Sequence, residues 1–261
     1  MQDRHINREQ YYKEQAYTSQ NYVIPFVNTE MPITSKTSVL EIGCGEGGNL
    51  LPFLEMGCEH IVGVDLSKSK IENAKKYFAD HTNHKNIEFL YADIYDVDNL
   101  GTFDFIMMRD VLEHIHNQEK FMVYVKKFLK PDGKFYLGFP PWVNPFGGHQ
   151  QICKSKVLSK LPFFHILPVP IYTLILKAFG ETTSIINGLL EVKATAISIN
   201  RFERILKKSG YKKDKRVFYL INPNYEVKFK LKPRKINKVI GAIPYLRDFL
   251  ITTNYYLISL K

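Results

Sequence analysis

Thr37-Ser38-Val39-Leu40-Glu41-Ile42-Gly43-Cys44-Gly45-Glu46-Gly47-Gly48 is the stretch on which the fold of this 261-residue chain turns. Thr37 to Ile42 is a short, β-branched apolar run of the kind that forms a buried strand, and it passes directly into glycine. Glycines there permit positive φ and let a ligand approach the main chain without meeting a Cβ. Leu50, Leu51, Phe53 and Leu54 then begin a short helix whose N-terminal amides face the turn, with Pro52 tolerated near its first turn. The turn satisfies both G-x-G-x-G and the dinucleotide pattern G-x-G-x-x-G (Gly43, Gly45, Gly48), so alone it does not choose a cofactor.

Strand and helix alternate after this unit. His60 to Val64 reads as a buried strand, Ser67 is placed to cap a helix over Lys68 to Phe78, and Asn86 to Tyr91 is a third strand. Phe103 to Met108 is a fourth, followed by a helix whose Phe121, Val125, Phe128 and Leu129 share one face. Pro131-Asp132-Gly133 is expected to stop that helix before a fifth strand, Lys134 to Phe139. Residues 140–199 break into aromatic, Pro-rich and Gly-rich sequence. A helix over Asn200 to Lys208 then leads to two extended stretches, Arg216 to Ile221 and Tyr225 to Leu231, joined by Asn222-Pro223-Asn224 and expected to pair as an antiparallel terminal hairpin. The pattern predicts an α/β, Rossmann-like doubly wound sheet of about seven strands, mostly parallel, with a substrate-lid insertion after the fifth strand. The chain divides into an N-terminal helical segment (1–36), a core (37–140), the lid (141–199), a last core helix with the hairpin (200–233) and a basic-apolar tail (234–261).

The formal net charge of +10 is unevenly placed. Residues 201–261 carry 16 Lys and Arg against four acids, a net of +12, which leaves −2 for residues 1–200. Such an asymmetry fits a solvated basic face, a polyanion or an anionic membrane surface. Cys44, Cys58 and Cys153 show no C-x-x-C spacing, so no disulfide framework or zinc knuckle is expected and a reducing compartment is. Met1 to Gln20 lacks an apolar segment of signal-peptide type. Leu161 to Leu176, the longest apolar run, is interrupted by Pro162, His165, Pro168 and Pro170 and falls short of the roughly 20 residues needed to span a bilayer. A cytoplasmic protein with room for peripheral contact at an anionic membrane is expected.

Asp65 lies 20 residues beyond Gly45, at the end of the second strand, where a carboxylate can accept both hydroxyls of a ribose. Glu41 is an acid inside a buried strand, which a nicotinamide site does not require. Ala92-Asp93-Ile94 ends the third strand, with Asp93 placed for an adenine amine and Ile94 for the ring. Arg109-Asp110-Val111-Leu112-Glu113-His114-Ile115 follows the fourth strand, and Leu129-Lys130-Pro131-Asp132-Gly133 precedes the fifth. In this order over residues 37–140, the motifs resemble the class I S-adenosylmethionine-dependent methyltransferases. The branch they are most similar to includes the ubiquinone-biosynthesis-type O-methyltransferases, with their V-L-D/E-x-G-C-G-x-G, A-D, L-E-H and L-K-P-G-G elements; here Asp132 replaces the first glycine of the last.

The resemblance implies S-adenosyl-L-methionine as cofactor and S-adenosyl-L-homocysteine as product. It implies that Gly43, Cys44, Gly45 and Gly47 line the methionine and ribose portions, with Glu41 near the methionine end. Asp65 would hold the ribose diol, Leu66 would flank the adenine, and Asp93 and Ile94 would bind its edge and face. Arg109 would offer its backbone to the methionine amine, with Asp110 beside it, and Leu112, Glu113 and His114 would pack and cap the rim. The stretch Gln10 to Phe26, with Tyr11, Tyr12, Tyr17 and Tyr22, resembles the helix that covers the cofactor in this family.

A sulfonium methyl is already activated, so positioning an acceptor accounts for much of the catalysis, and an oxygen acceptor additionally needs a base. His149, after the fifth strand and the Gly147-Gly148 pair, is the candidate. Trp142, Phe146 and Tyr172 in the lid, with Phe163, Phe164 and His165, would form an aromatic wall for a small hydrophobic molecule, a glycan or a lipid-linked intermediate. Asn222-Pro223-Asn224-Tyr225 resembles the N-P-P-Y element of amine methyltransferases but stands in the wrong place, and no Pro-Cys follows the fourth strand, so a nucleic-acid substrate is not expected. Neither is a metal: His114-x-His116 is poor ligand spacing and no H-E-x-x-H occurs. Two other readings stay open at this level, a nicotinamide-dependent oxidoreductase and a non-catalytic cofactor-binding scaffold whose basic C-terminal part contacts membrane or nucleic acid.

Overall fold

The computed structural model describes residues 7–261, so the first six positions of the 1–36 segment lie outside the described residues. The chain begins with α1 (Arg8–Thr18), a π-helical turn (Ser19–Val23) and α2 (Ile24–Asn28). The core follows as β1 (Ser38–Ile42), α3 (Leu51–Glu55), β2 (His60–Asp65), α4 (Lys68–Phe78), β3 (Ile87–Tyr91), β4 (Phe103–Arg109), α5 (Gln118–Val125) and β5 (Leu129–Phe139). After a long loop come α6 (Val169–Ala178), α7 (Thr183–Thr195), α8 (Ile199–Lys208) and β6 (Tyr211–Ile221). The chain closes with α9 (Asn224–Phe229), β7 (Arg234–Lys235), α10 (Lys238–Ala242), α11 (Leu246–Leu250) and β8 (Thr253–Leu260).

One mixed sheet of order β3-β2-β1-β4-β5-β8-β6-β7 organises the molecule. β1 to β5 pair in parallel, and β8 lies antiparallel between β5 and β6. The strand order reverses between β1 and β4, which opens a crevice at their carboxyl ends, and the glycine turn leaves β1 at this point. Alternation along each strand separates two cores. Val39, Phe105, Met107 and Tyr255 face α2, α3 and α4, whereas Leu40, Ile106, Phe121 and Phe202 lie with α5 and α8 on the other side. The helices dock by the expected periodicity: α4 buries Ile71, Ala74 and Phe78, and α8 buries Phe202, Ile205 and Leu206. The lid has its own small core, built on Cys153, Leu158, Phe164, Tyr172, Leu176 and Leu189. Among the described residues no helix is long and apolar enough to cross a membrane.

The α/β, Rossmann-like reading holds, with eight strands among the described residues, of which β7 contributes only two residues. Four local expectations are corrected. Pro131-Asp132-Gly133 does not separate helix from strand: the helix ends earlier, and β5 starts at Leu129 with an irregularity opposite Phe103 to Phe105. A proline and a glycine are admissible there because the irregularity relaxes the ladder. Tyr225–Leu231 is no strand, since Asn224–Phe229 forms α9 and Lys230, at φ +58, ends it. Residues 234–261 are not a peripheral tail, because Thr253 to Ser259 are buried and β8 supplies the antiparallel partner expected of the hairpin. The Tyr255-Tyr256-Leu257-Ile258 run is apolar on both faces and finds cover on both only between β5 and β6. Finally, Ser67 occupies the N-cap position of α4 without a capping hydrogen bond; Asp65 accepts from the Ser67 amide instead, at 2.8 Å.

The place of β8 gives a direct expectation. Leu257→Ala, at a fully buried position, should cost about 2–5 kcal/mol of stability. Val239→Ala, in a residue 72% exposed, should change it by less than about 0.5 kcal/mol. Urea denaturation measures both, and a small effect at Leu257 would contradict a central terminal strand.

Candidate functional site

β1 ends where Gly43 turns at φ +76, and the amides of Gly43 and Cys44 donate to Val64 O at 2.7 and 3.1 Å. The turn is thereby fastened to the end of β2. A Cβ at Gly43 would come within 2.4 Å of Val111 and one at Gly47 within 2.7 Å of the Phe89 ring. At Gly45, also at positive φ, a Cβ would meet nothing nearer than Lys70 Cδ at 4.0 Å. Gly45 is therefore the member of the turn with open space at its α-carbon. Cys44 turns its buried side chain toward Gly63, so only its backbone belongs to the site.

Asp65 faces the turn from the end of β2, accepting from the Gly45 amide at 2.8 Å as well as from Ser67. Leu66, 68% exposed, projects beside it. Ala92 donates to Asp65 O at 3.2 Å, which places Asp93 and the buried Ile94 next in line along the rim, and Asp93 accepts from the Tyr95 amide at 3.0 Å. The residues expected around ribose and adenine are thus consecutive along the edge of β2 and β3.

A buried polar row occupies the other side of the turn. Arg109 Nη1 donates to Asn49 Oδ1 at 2.9 Å, and Asn49 Nδ2 donates to Glu41 Oε1 at 2.7 Å. All three side chains are buried, and Glu41 Oε2 has no hydrogen-bond partner among the described residues. Burial pushes the Glu41 carboxyl up to about 8, against the opposing effects of Asn49 and Arg109. Burial also works against the Arg109 charge, but Asp110, with Oδ2 3.7 Å from Arg109 Nε, together with Tyr255, Tyr136 and Tyr11 outweighs it and the guanidinium stays protonated. Asp110 itself sits at φ +54 with its amide bonded to Gly138 O at 2.8 Å, which turns the chain sharply at the end of β4.

α1 closes over this row. Arg8 Nε and Nη2 bind the two carboxylate oxygens of Glu46, each at 2.6 Å, a bidentate pair that ties α1 to the glycine turn. Ser19 donates to Asn49 O at 2.9 Å, and Tyr12 O lies 2.4 Å from where a Gly48 Cβ would stand. Tyr17 and Tyr22 donate to Glu226 on α9, anchoring the far end of the cover. Gln10 to Phe26, expected to cover a cofactor, forms α1, the π-helical turn and α2, and this segment packs against the glycine turn.

The lid brings a second group of titratable side chains to the rim. His149, at φ +58, places Nε2 4.0 Å from Glu113 Oε1, and its ring lies 5.0 Å from that of His114. Burial lowers the His149 pKa to about 4, aided by His114 and His165, so the imidazole is neutral at physiological pH. Burial, reinforced by Asp110, raises the Glu113 pKa well above the ordinary value, and neither of its carboxylate oxygens has a hydrogen-bond partner among the described residues. The sequence assigns Glu113 to packing; the structure turns it toward His149. Ligand atoms of Glu113, His114 and His149 all lie within 4.8 Å of one another, a set that can accept a cation and that sequence spacing did not reveal. Trp142 and Phe146 remain partly accessible on the same loop, with Trp142 O accepting from His165 Nε2 at 2.7 Å. Tyr172 is corrected: it is fully buried against Phe164 in the lid's own core and lines no open wall. Asn49, Glu46 and Arg8 escaped the sequence reading, because each matters through a partner distant in sequence.

Comparison with known proteins follows this geometry. A model of the family described as "Methyltransferase domain" matches residues 33–210, which include the glycine turn, β1 to β5, the lid and α8. A ubiquinone biosynthesis O-methyltransferase from Rickettsia bellii is 28% identical over 113 residues, 43% of this chain and 46% of that protein. An uncharacterised protein from Rickettsia prowazekii is 35% identical over 118 residues, 42% of this chain and 47% of its own length. The chain spans about half the length of these curated relatives. Among solved structures, PKMT2 from Rickettsia typhi in complex with AdoHcy shares the fold with a TM-score of 0.54 at 21% identity, over 93% of this chain and 53% of that one.

The state of Glu41 is open to measurement. With its folded pKa near 8 and an ordinary unfolded value, the folded chain holds a proton that the unfolded chain releases, so this group's contribution to stability falls as pH rises toward 8. Glu41→Gln keeps the bond to Asn49 and removes the titration. It should match wild type within about 1 kcal/mol near pH 5 and exceed it by roughly 2–5 kcal/mol at pH 8. Denaturation curves that shift equally with pH in both proteins would show that Glu41 ionises freely in the fold.

Proposed function

The chain belongs to the methyltransferase-domain family, and from this premise we propose that it is an S-adenosylmethionine-dependent methyltransferase acting on an oxygen of a small, glycan or lipid-linked acceptor. The observation that carries the reading is the buried row Glu41–Asn49–Arg109 beside the glycine turn. The free Glu41 Oε2 suits an ammonium group and the Arg109 end suits a carboxylate, the two charges of an amino acid, while Asp65 suits a ribose diol. A nicotinamide dinucleotide has no ammonium for Glu41 to meet, so the oxidoreductase alternative is not favoured.

Bound in this crevice, S-adenosylmethionine supplies a methyl group already activated by its sulfonium. The chain's own residues then bind and orient. Asp65 and the Gly45 backbone hold the ribose, Asp93 and Ile94 the adenine edge and face, and Glu41, Arg109 and Asp110 the methionine end. The Arg8–Glu46 pair keeps α1 over the turn and excludes water. His149 Nε2, neutral and at the rim, accepts the proton of an acceptor hydroxyl. Glu113 Oε1, 4.0 Å away, turns a carboxyl oxygen toward the resulting imidazolium and needs no change in its own protonation to do so.

Two measurements test this reading. Calorimetry should show S-adenosylmethionine and S-adenosylhomocysteine binding, and near neutral pH the binding should release protons as Glu41 ionises against the ammonium; no heat with either ligand would remove the proposal. With an oxygen acceptor in hand, His149→Ala should lower kcat about 10²–10⁴-fold while S-adenosylhomocysteine affinity stays the same. An unaltered rate across pH would place the base elsewhere.

A further inference from the structure

The lid and the C-terminal connector present one continuous apolar face that neither core covers. α6 is apolar on both sides: Tyr172 and Leu176 point into the lid core, while Ile171, Leu174 and Ala178 form an outward stripe at helical spacing. A helix facing water would carry polar residues there, yet Leu174 is 68% exposed. The preceding loop adds exposed Leu161, Phe163 and Ile166. From the other end of the chain, α11 and the residues before it expose Ile243, Tyr245, Leu246, Phe249 and Leu250. The Phe163 and Phe249 rings are 6.0 Å apart, so these segments meet. Asp248 Oδ2 accepting from the Ile199 amide at 2.9 Å, and Arg247 donating to Asn200 at 2.7 Å, fix the connector against the start of α8.

Charge identifies the occupant. Residues 154–180 contain four lysines (Lys154, Lys156, Lys160, Lys177) and no acid, and residues 227–247 contain seven Lys or Arg and no acid. Lys154, Lys156, Lys160 and Lys177 are exposed, as are Arg234, Lys235 and Lys238. Exposed aliphatic and aromatic side chains in stretches rich in lysine and arginine and free of acids match the interface of an anionic bilayer, where apolar groups enter the acyl boundary and cations remain among the headgroups. A second copy of the chain fits poorly, because pairing this face with itself would set cation against cation. Nucleic acid would meet the charges but not the exposed Leu and Ile side chains.

We propose that this two-segment face seats the protein on an anionic lipid bilayer. The same lid carries the site loop. A Cβ at Gly148 would fall 2.1 Å from the His165 side chain, and Trp142 O bonds to His165, so His149 and Trp142 are held by the element that docks. Docking sets that loop at the membrane surface, where a lipid-linked acceptor would be presented. The inference does not depend on methyl transfer, since binding to lipid is read without turnover.

Flotation of the full chain with phosphatidylcholine vesicles, with and without phosphatidylglycerol, tests it. Wild type should float at low salt with the anionic vesicles only and be released as ionic strength rises. Leu174→Glu and Leu246→Glu, one in each segment, should each weaken partitioning about tenfold or more. The pair Lys156→Glu and Lys160→Glu should weaken it by a similar factor. Because all four positions are exposed, the variants should melt with wild type, which separates lost docking from lost folding. Failure of wild type to float, equal binding to neutral vesicles, or full binding by both leucine variants would overturn the proposal. So would a wild-type dimer in light scattering that Leu174→Glu dissociates, which would make the face a subunit interface.

Discussion

Two ionisable side chains sealed beneath the sheet rim set the terms for the rest of this molecule. Glu41 and Arg109 stand on adjacent parallel strands, both out of water, and Asn49 alone bridges them. A buried charge without a partner costs several kcal/mol, so the position of Asn49 is constrained from both sides. Asn49 is in turn placed by the glycine turn, by Ser19 on its carbonyl and by the closeness of α1. Removing glycine from the turn would displace the bridge as well as crowd a ligand. The same row leaves one carboxylate oxygen, Glu41 Oε2, without a hydrogen-bond partner among the described residues.

Two covers reach the rim, one from the start of the chain and one from its middle. α1 is clamped at the turn by Arg8 and Glu46 and at its far side by contacts to α9. The lid leaves at the end of β5, and its departure is pinned by the last strand: Asn254 donates to Phe139 O at 2.8 Å, and Tyr255 pairs with Gly138. Folding of the C-terminal strand and placement of His149 are therefore coupled, although residues 149 and 254 are far apart in sequence. A truncation after β6 would remove the edge on which the lid is hung and expose the flank of β5.

The surface charge has a similarly specific arrangement. Part of the C-terminal excess is neutralised locally: Lys213 and Arg216 converge on Glu203, and Lys134 and Lys212 on Asp214. Such pairs secure β6 against α8 and β5 and leave little net field. The cations that border the apolar face of the lid and connector sit in acid-free stretches, which is why they, rather than the total of +10, point to a surface partner.

The sequence by itself determined the parallel half of the sheet, the glycine turn and the line of Asp65, Ile94 and Arg109 along the rim. Those features are local: a strand, its terminal residue and the turn after it lie within a few positions, so hydrophobic period and glycine placement encode them directly. The sequence misassigned residues 225–231, since a short alternating stretch fits strand or helix equally until its neighbours are known. It also treated the final segment as a tail, because a strand buried on both faces shows no alternation and its partners, β5 and β6, are brought beside it only by the closed sheet. The pairing of His149 with Glu113, the Asn49 bridge and the Arg8 latch belong to tertiary structure alone. Each joins residues that no period relates, and the Asn49 bridge and the Arg8 latch hold because burial raises the cost of leaving their polar groups alone.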